Sequence, residues 1–195
     1  MKKLNILLFD WRFPRDIIEK ALASELNASI FNLTSCLKEQ LRNNDDLGKE
    51  MMKLVENGEM LTKEIIGRFI SRNLQTFSGN ILLSEYPRTL EQYDGLTKVL
   101  KNDKIELQGI WYFKQREPNQ FMKKHFENPK EKQWIDKYGS EVIKKWKIEF
   151  NKRRELIVQI QNISDTTKWK TIEVDCVSSL NAECIKQLIK YSVNG

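Results

Sequence analysis

The sequence predicts an α/β protein built on a doubly wound, five-stranded parallel sheet with helices on both faces. Short apolar runs alternate with segments of helical periodicity along the 195 residues, a pattern typical of strands joined by helices. Two of the runs, Ile81–Leu83 and Ile110–Phe113, are apolar at every position, as interior parallel strands require. Hydrophobic residues make up 40% and charged residues 31% of the chain, which is typical of a water-soluble globular protein. Because no run of about 18 apolar residues occurs, we expect no membrane span.

The individual elements follow in order from these patterns. We predict strands near residues 4–9, 28–32, 80–84, 107–113 and 170–175. We predict helices at residues 15–26, 35–43, 47–56, 63–75, 89–100, 118–127, 141–161 and 181–191. Three helices begin with a capping residue, namely Thr62, Thr89 (with Gln92 three residues later) and Asn181. Residues 128–140 are polar and irregular in pattern, so we expect a mobile insert there.

Cysteine usage and charge limit the environment and the partners. The three cysteines, Cys36, Cys176 and Cys184, lack metal-ligand spacing, so we expect no metal site and a reducing, cytoplasmic location. The formal charge is +6, and residues 121–154 hold eleven basic against five acidic side chains. This region predicts either a solvated helix face or a surface for phosphate, nucleic acid or an acidic protein. Nucleic acid is not the expected partner, because no RNA-binding or helix-turn-helix motif accompanies the charge.

Four motifs in order along the chain carry a resemblance to a known family. Leu82–Gln92 reads L-L-S-E-Y-P-R-T-L-E-Q, Leu47–Lys49 reads L-G-K, Glu56–Ile66 reads E-N-G-E-M-L-T-K-E-I-I, and Thr171–Cys176 reads T-I-E-V-D-C. In order and spacing, from Leu4 to Ile189, the chain resembles the adenylate kinases and related nucleoside monophosphate kinases. The resemblance implies their P-loop kinase fold, in one domain over residues 1–195. It also implies a helical monophosphate-binding-like insert at 33–75 and a reduced lid-like insert at 123–140.

On the acceptor side, the monophosphate-binding residues that the resemblance implies are Arg88, Gln92, Lys38, Gly58, Met60 and Leu61. Arg88 matches the arginine that contacts the α-phosphate of the acceptor, and Gln92 matches the glutamine that reads the adenine edge. The structural alternatives are a surface arginine, the second half of a capping box at Gln92 and a helix C-cap at Gly58. Glu85 departs from the family's glycine and puts a negative side chain where the adenine lies.

The donor side departs further from the family. Residues 10–14 read D-W-R-F-P and contain none of the glycines whose N–H groups surround a β-phosphate. Asp10 is expected to bring a negative charge toward a polyphosphate, and Arg15 aligns with the loop lysine. The lid arginines are absent from their aligned positions, which leaves Arg116, Arg153 and Arg154 as substitutes if the local backbone differs from the family's. Losing these groups together removes most of the means of phosphoryl transfer.

Aromatic residues indicate two further alternatives. Trp11 and Phe13 are expected in a loop near solvent, beside arginines, where such residues often contact a partner. They contact a protein partner or fold inward to fill the space of the missing phosphates. Trp146 belongs to an approximate helical stripe of apolar residues, which favours core packing over an exposed anchor. The other members of that stripe are Ile143, Phe150, Ile157 and Ile160.

The sequence therefore predicts a catalytically impaired adenylate-kinase-like protein that acts as a binding or structural module. It binds a purine monophosphate such as AMP weakly, or it belongs to a larger assembly of proteins, such as a ciliary axoneme. No cofactor is expected for this function. The alternative is an active nucleoside monophosphate kinase with an unorthodox donor loop, which would require ATP and Mg²⁺.

Overall fold

The computed structural model describes residues 2–10, 13, 15–43, 45–59, 61–118, 127, 129–174 and 182–194. The strands are β1 (Lys3–Phe9), β2 (Ala28–Asn32), β3 (Asn80–Ser84), β4 (Glu106–Gln115) and β5 (Trp169–Val174). They form one all-parallel sheet in the order β2-β3-β1-β4-β5, flanked by helices. This architecture confirms the predicted α/β class and is consistent with the P-loop nucleoside monophosphate kinase fold. No helix among the described residues is long and apolar enough to cross a membrane.

Except for α6, the helices agree with the periodicity of the sequence, apart from shifts of a few residues at their ends. They are α1 (Arg15–Glu25), α2 (Leu33–Gln40), α3 (Asp46–Glu56), α4 (Lys63–Thr76), α5 (Leu90–Asn102), α6 (Pro129–Tyr138), α7 (Ser140–Ile163) and α8 (Ala182–Asn194). The capping roles of Thr62 and Thr89 are confirmed, since their side chains accept from the N–H groups three residues later. Helix α2 begins at Leu33, earlier than predicted, because the Asn32 side chain accepts from the Ser35 N–H. The predicted cap Asn181 and most of the predicted helix 118–127 lie outside the described residues.

The expectation of an irregular insert at residues 128–140 is wrong for most of that stretch. Helix α6 covers Pro129–Tyr138. Proline is favoured at the first position of a helix, where its missing N–H has no intrahelical partner. The lysines, glutamate and glutamine that follow are good helix formers. Polar composition alone was therefore a poor guide, because a helix facing water needs few apolar residues.

Residues 1–7 and 23–110 form one compact unit. In it β3 pairs in parallel with β1 on one side and β2 on the other, with Leu4 opposite Ile81 and Phe31 opposite Leu83. Phe31 is fully buried, and its ring centroid lies 6.3 Å from that of Phe69. This register brings the carboxyl ends of β2 and β3 to the same edge, where ligands bind in open α/β sheets.

Residues 8–22 and 111–195 form the second compact unit. It contains most of α1 (through Leu22), α6 to α8, β5, the last residues of β1 and the second half of β4. The predicted apolar stripe of α7 is confirmed at Phe150, Ile157 and Ile160, which are buried. Trp146, which precedes them on the same helix, is partly exposed.

Candidate functional site

The first candidate site follows β3, in the turn that carries the Tyr86-Pro87-Arg88 motif. Glu85 has a φ of +65°, a left-handed conformation that only glycine adopts without strain. The next peptide bond, Tyr86–Pro87, is cis. The Tyr86 hydroxyl donates to the carbonyl oxygen of Gln92 at 3.1 Å, and burial raises the pKa of this phenol to about 12. These contacts connect the turn to the start of α5.

Arg88 is held in this turn by three groups. Its Nε donates to the Glu85 carbonyl oxygen at 3.0 Å, and its Nη2 lies 3.2 Å from the Glu85 Oε2. The same Nη2 also lies 3.2 Å from the Thr34 hydroxyl, which itself donates to Glu85 Oε2. The Arg88 side chain is 56% exposed, whereas the Glu85 side chain is 10% exposed. The predicted phosphate-binding arginine is therefore partly open to solvent and paired with a nearly buried carboxylate.

Gln92 takes part in capping α5. The Thr89 hydroxyl accepts from the Gln92 N–H at 3.2 Å, and the Gln92 Oε1 accepts from the Arg88 N–H at 2.7 Å. This is close to a capping box, with the glutamine reaching one residue further back than usual. The structural alternative for Gln92 is therefore present, and it places the glutamine amide directly beside Arg88. The contact of the Gln92 side chain with the edge of an adenine stays a prediction.

Lys38 lies on α2, the helix that contributes Thr34 to this cluster. It is exposed, and it follows Thr34 by one helical turn, on the same face of the helix. Arg88 follows β3 and Lys38 lies on the helix that follows β2, so both positive charges come after strands that end at the same edge of the sheet. Such an arrangement can attract an anion, although Glu85 offsets part of the charge.

The Gly58–Leu61 segment has a structural explanation in its first part. Gly58 has a φ of +72°, its N–H donates to the Val55 carbonyl, and the Glu59 N–H donates to the Leu54 carbonyl. These two bonds form a Schellman motif that ends α3. Leu61 is partly exposed, and Met60 lies outside the described residues. The predicted backbone contact of this segment with adenine stays a prediction.

A cavity of about 750 Å³ lies between α3 and α4 in the same unit. Its lining residues are Glu50, Lys53, Leu54, Asn57, Glu59, Thr62, Glu64, Ile65 and Arg68. Neither Arg88, Gln92 nor Lys38 belongs to this lining, so the cavity and the Arg88 cluster are distinct places on the unit.

In the second unit, the carboxyl end of β1 holds a buried ionic cluster around Asp10. The Asp10 side chain is fully buried and accepts from the Tyr112 hydroxyl at 2.7 Å and the Gln115 N–H at 2.9 Å. It also accepts from Arg154, at 3.1 Å from Nε and 2.6 Å from Nη2. Burial, together with the Asp10 carboxylate, raises the pKa of the Tyr112 phenol. The expectation that Asp10 presents its charge to a polyphosphate is wrong, because Arg154 neutralises the carboxylate inside the protein.

The other arginines that the structure describes in this unit, Arg15, Arg116 and Arg153, also contact groups of the protein. The Arg15 guanidinium lies over the Phe9 ring, 5.5 Å from its centroid. The Arg153 Nε lies 3.5 Å from the Phe9 carbonyl oxygen, and the Arg116 Nε lies 3.5 Å from Glu173. Arg154, besides Asp10, donates to the Gln115 carbonyl at 2.7 Å. The arginines suggested as substitutes for lid arginines are therefore engaged in contacts within the unit.

The burial of Phe13 distinguishes between the two alternatives for this residue, namely contact with a protein partner and folding inward. Phe13 is 5% exposed, which is the inward orientation, and a ring so buried is not available as a contact for a protein partner. The expectation of a partner contact at Phe13 is corrected accordingly. Trp11 lies outside the described residues, as do Arg12 and Pro14. Among the described residues, no group of His, Cys, Asp and Glu side chains is arranged to hold a metal ion.

Comparison with known proteins finds adenylate kinases among the relatives of this chain, although no family model matches it. The adenylate kinase of Borrelia duttonii is 30% identical over 90 residues, which is 45% of this chain and 42% of that enzyme. The adenylate kinase of Methanothrix thermoacetophila is 31% identical over 93 residues, covering 47% of this chain and 43% of the relative. That of Prochlorococcus marinus subsp. pastoris is 27% identical over 95 residues, covering 48% of this chain and 52% of the relative.

This chain is adenylate-kinase-like over about half of its length. The matches likewise span about half of each relative. Motif order indicates a resemblance from Leu4 to Ile189, so the similarity found by comparison is less extensive than the one that the motifs predict. The adenylate-kinase-like character is thus supported by the sheet and by these relatives, while activity and ligands remain to be proposed.

Sequence reasoning missed two parts of the candidate sites in this adenylate-kinase-like chain. The first is the contact of Thr34 and Arg88 with one oxygen of Glu85, for which the spacing of Glu85 and Arg88 was an available signal. The second is the pairing of Asp10 with Arg154, which are 144 positions apart. No local pattern carries information about a contact of that separation.

Proposed function

We propose that this chain is a catalytically impaired, adenylate-kinase-like binding protein with a weak site for a purine nucleoside monophosphate such as AMP. The observation that carries the proposal is the position of Arg88 at the carboxyl end of β3, in contact with Thr34 and beside Gln92. The carboxyl ends of parallel strands are where open α/β sheets bind ligands. An arginine at that edge suits a phosphate, because its planar fork matches two phosphate oxygens.

The donor side supports the loss of catalysis. Residues 10–14, which join β1 to α1, include no glycine. Asp10 is buried against Arg154, and Arg15 lies over Phe9, so both charges have partners within the protein. A loop without glycine does not supply the cradle of N–H groups that a triphosphate with its Mg²⁺ needs.

A second candidate, an active nucleoside monophosphate kinase, is favoured by the similarity to proteins named adenylate kinase. A coupled assay with ATP, Mg²⁺ and AMP separates the two functions. We expect phosphoryl transfer at least ~10³-fold below that of a competent adenylate kinase measured in parallel, since single catalytic contacts contribute ~10²–10³ each. A turnover on the order of 10 s⁻¹ would establish the kinase and overturn our proposal.

Binding of the monophosphate is tested by chemical-shift titration of the wild-type protein with AMP. We expect a dissociation constant of about 1 mM, which corresponds to roughly 4 kcal/mol. Arg88→Ala should abolish the shifts, because it removes the charged partner of the phosphate. Arg68→Ala is the matched control, since Arg68 is in the same unit, equally exposed at 56% and also paired with a glutamate, Glu50. Unchanged wild-type spectra at about 5 mM AMP, well above that constant, would show that this site binds no monophosphate.

If the protein neither transfers phosphate nor binds AMP, we propose a structural role instead. We infer from the sequence a cytoplasmic protein that then serves as a component of an assembly, with Trp11 the first residue to substitute. Loss of co-purification of a specific partner on Trp11→Ala, with the variant as stable as wild type in urea denaturation, would support that role.

A further inference from the structure

One carboxylate oxygen in the Arg88 cluster makes the contacts that a phosphate would need. The Glu85 Oε2 accepts a hydrogen bond from the Thr34 hydroxyl and lies 3.2 Å from the Arg88 Nη2. The main-chain carbonyl oxygen of Glu85 also accepts a hydrogen bond from the Arg88 Nε, at 3.0 Å. A phosphate monoester arriving at Arg88 therefore meets donors that are already bonded to an anion of the same chain.

The Glu85 side chain is nearly buried, which strengthens its effect on a neighbouring charge. Its side chain is 10% exposed, and side chains in such surroundings feel neighbouring charges more strongly than those in water. A phosphate beside Arg88 would lie within a few ångströms of this negative charge, and like charges at that distance repel. Glu85 thus acts on phosphate twice, by occupying the donors and by repulsion.

The backbone at Glu85 is the second independent observation. Its φ of +65° is strained for a residue with a Cβ, and glycine would adopt it at no cost. Such outliers persist where the surrounding structure holds them, and they often mark functional positions. In this conformation Glu85 contacts both Arg88 and Thr34.

We propose that Glu85 is a built-in competitor of phosphate at Arg88 and is the residue that determines the affinity of this site for phosphate monoesters. The inference rests on the proposed function, because it concerns the same monophosphate site. It adds that the Glu85 carboxylate occupies the phosphate-binding donors of this site. Removing the charge of Glu85 makes those donors available to a phosphate.

The test compares wild type with Glu85→Gln, which keeps the size of the side chain and removes its charge. Glu85→Gly is the second variant, since glycine suits the positive φ and cannot fail through backbone strain. Glu50→Gln is the matched control, because it removes the charge of another glutamate paired with an arginine in the same unit. AMP, inorganic phosphate and adenosine are titrated separately against each protein.

We expect both Glu85 variants to bind AMP and inorganic phosphate at least about tenfold more tightly than wild type, a change equal to about 1.4 kcal/mol. Adenosine, which lacks phosphate, should bind equally to all, and Glu50→Gln should match wild type. Adding Arg88→Ala to Glu85→Gln should remove the gain.

The outcomes separate this inference from the proposed function. If wild type binds AMP and neither Glu85 variant binds it more tightly, Glu85 is no competitor and the inference is overturned, while the proposed site stands. If no protein of the set binds AMP or phosphate, the site itself is absent and both are overturned. A gain that survives the loss of Arg88 also contradicts the inference, because phosphate would then bind elsewhere.

Discussion

Replacing Arg154 with methionine tests the interpretation of the buried cluster that follows β1. The substitution removes two hydrogen bonds to Asp10, from Nε at 3.1 Å and Nη2 at 2.6 Å, and leaves a carboxylate that is 0% exposed. Removing one partner of a buried ion pair usually costs about 3–5 kcal/mol. The Arg154 side chain is 27% exposed, so water can reach the vacated space. We therefore expect the free energy of unfolding to fall by about 3 kcal/mol, the lower end of that range.

The measurement is urea denaturation at pH 7, with the variants Arg154→Met, Asp10→Asn and both together. The loss of stability in the double variant should be about 2 kcal/mol smaller than the sum of the two single losses. The reason is that the second substitution removes the charge that the first left unpaired. Arg153→Met is the neighbouring control, since Arg153 lies 3.5 Å from a main-chain carbonyl and we expect a loss below about 1 kcal/mol. A loss below about 1 kcal/mol for Arg154→Met would refute the argument that Arg154 compensates a buried charge.

Three further predictions concern stability and the donor loop. Gly48→Ala should lower the free energy of unfolding by about 2–3 kcal/mol, because the new Cβ would lie 2.2 Å from the Asn43 carbonyl oxygen. Gly95→Ala, in a helix with open space around it, should instead stabilise the protein by about 0.5–1 kcal/mol, and equal effects in urea denaturation would contradict both. Burial raises the pKa of Tyr86 to about 12, whereas a tyrosine in the unfolded chain has a pKa of about 10. The contribution of the neutral phenol to stability is therefore fully present below about pH 10 and is lost as the pH rises through about 12, because the unfolded chain loses the proton first. A pH series of denaturation midpoints should lose this fall in Tyr86→Phe, and a fall of the same size in that variant would assign it to another group. Arg15→Lys should not restore ATP binding, since residues 10–14 still lack glycine, and calorimetry showing micromolar affinity would contradict this.

The sheet could be predicted from the sequence because a buried strand appears as an uninterrupted run of apolar residues. Ile81, Leu82 and Leu83 are apolar without interruption, and all three are fully buried in β3. Caps are equally local, and Thr62 and Thr89 cap the helices that follow them. Helix α6 was missed because its residues are polar on most sides, so periodicity gave no signal.

For the candidate sites, the sequence by itself determined the residue types and their order, including Arg88, Gln92 and a donor loop without glycine. Only the tertiary structure decided how those charges are used. Glu85 turns back onto Arg88 because the chain takes a left-handed turn after β3, and Asp10 meets Arg154 because folding brings together positions 144 residues apart. The physical reason is that hydrogen bonds and ion pairs depend on distances of a few ångströms, which sequence separation does not specify, whereas strand and helix patterns depend on neighbours along the chain.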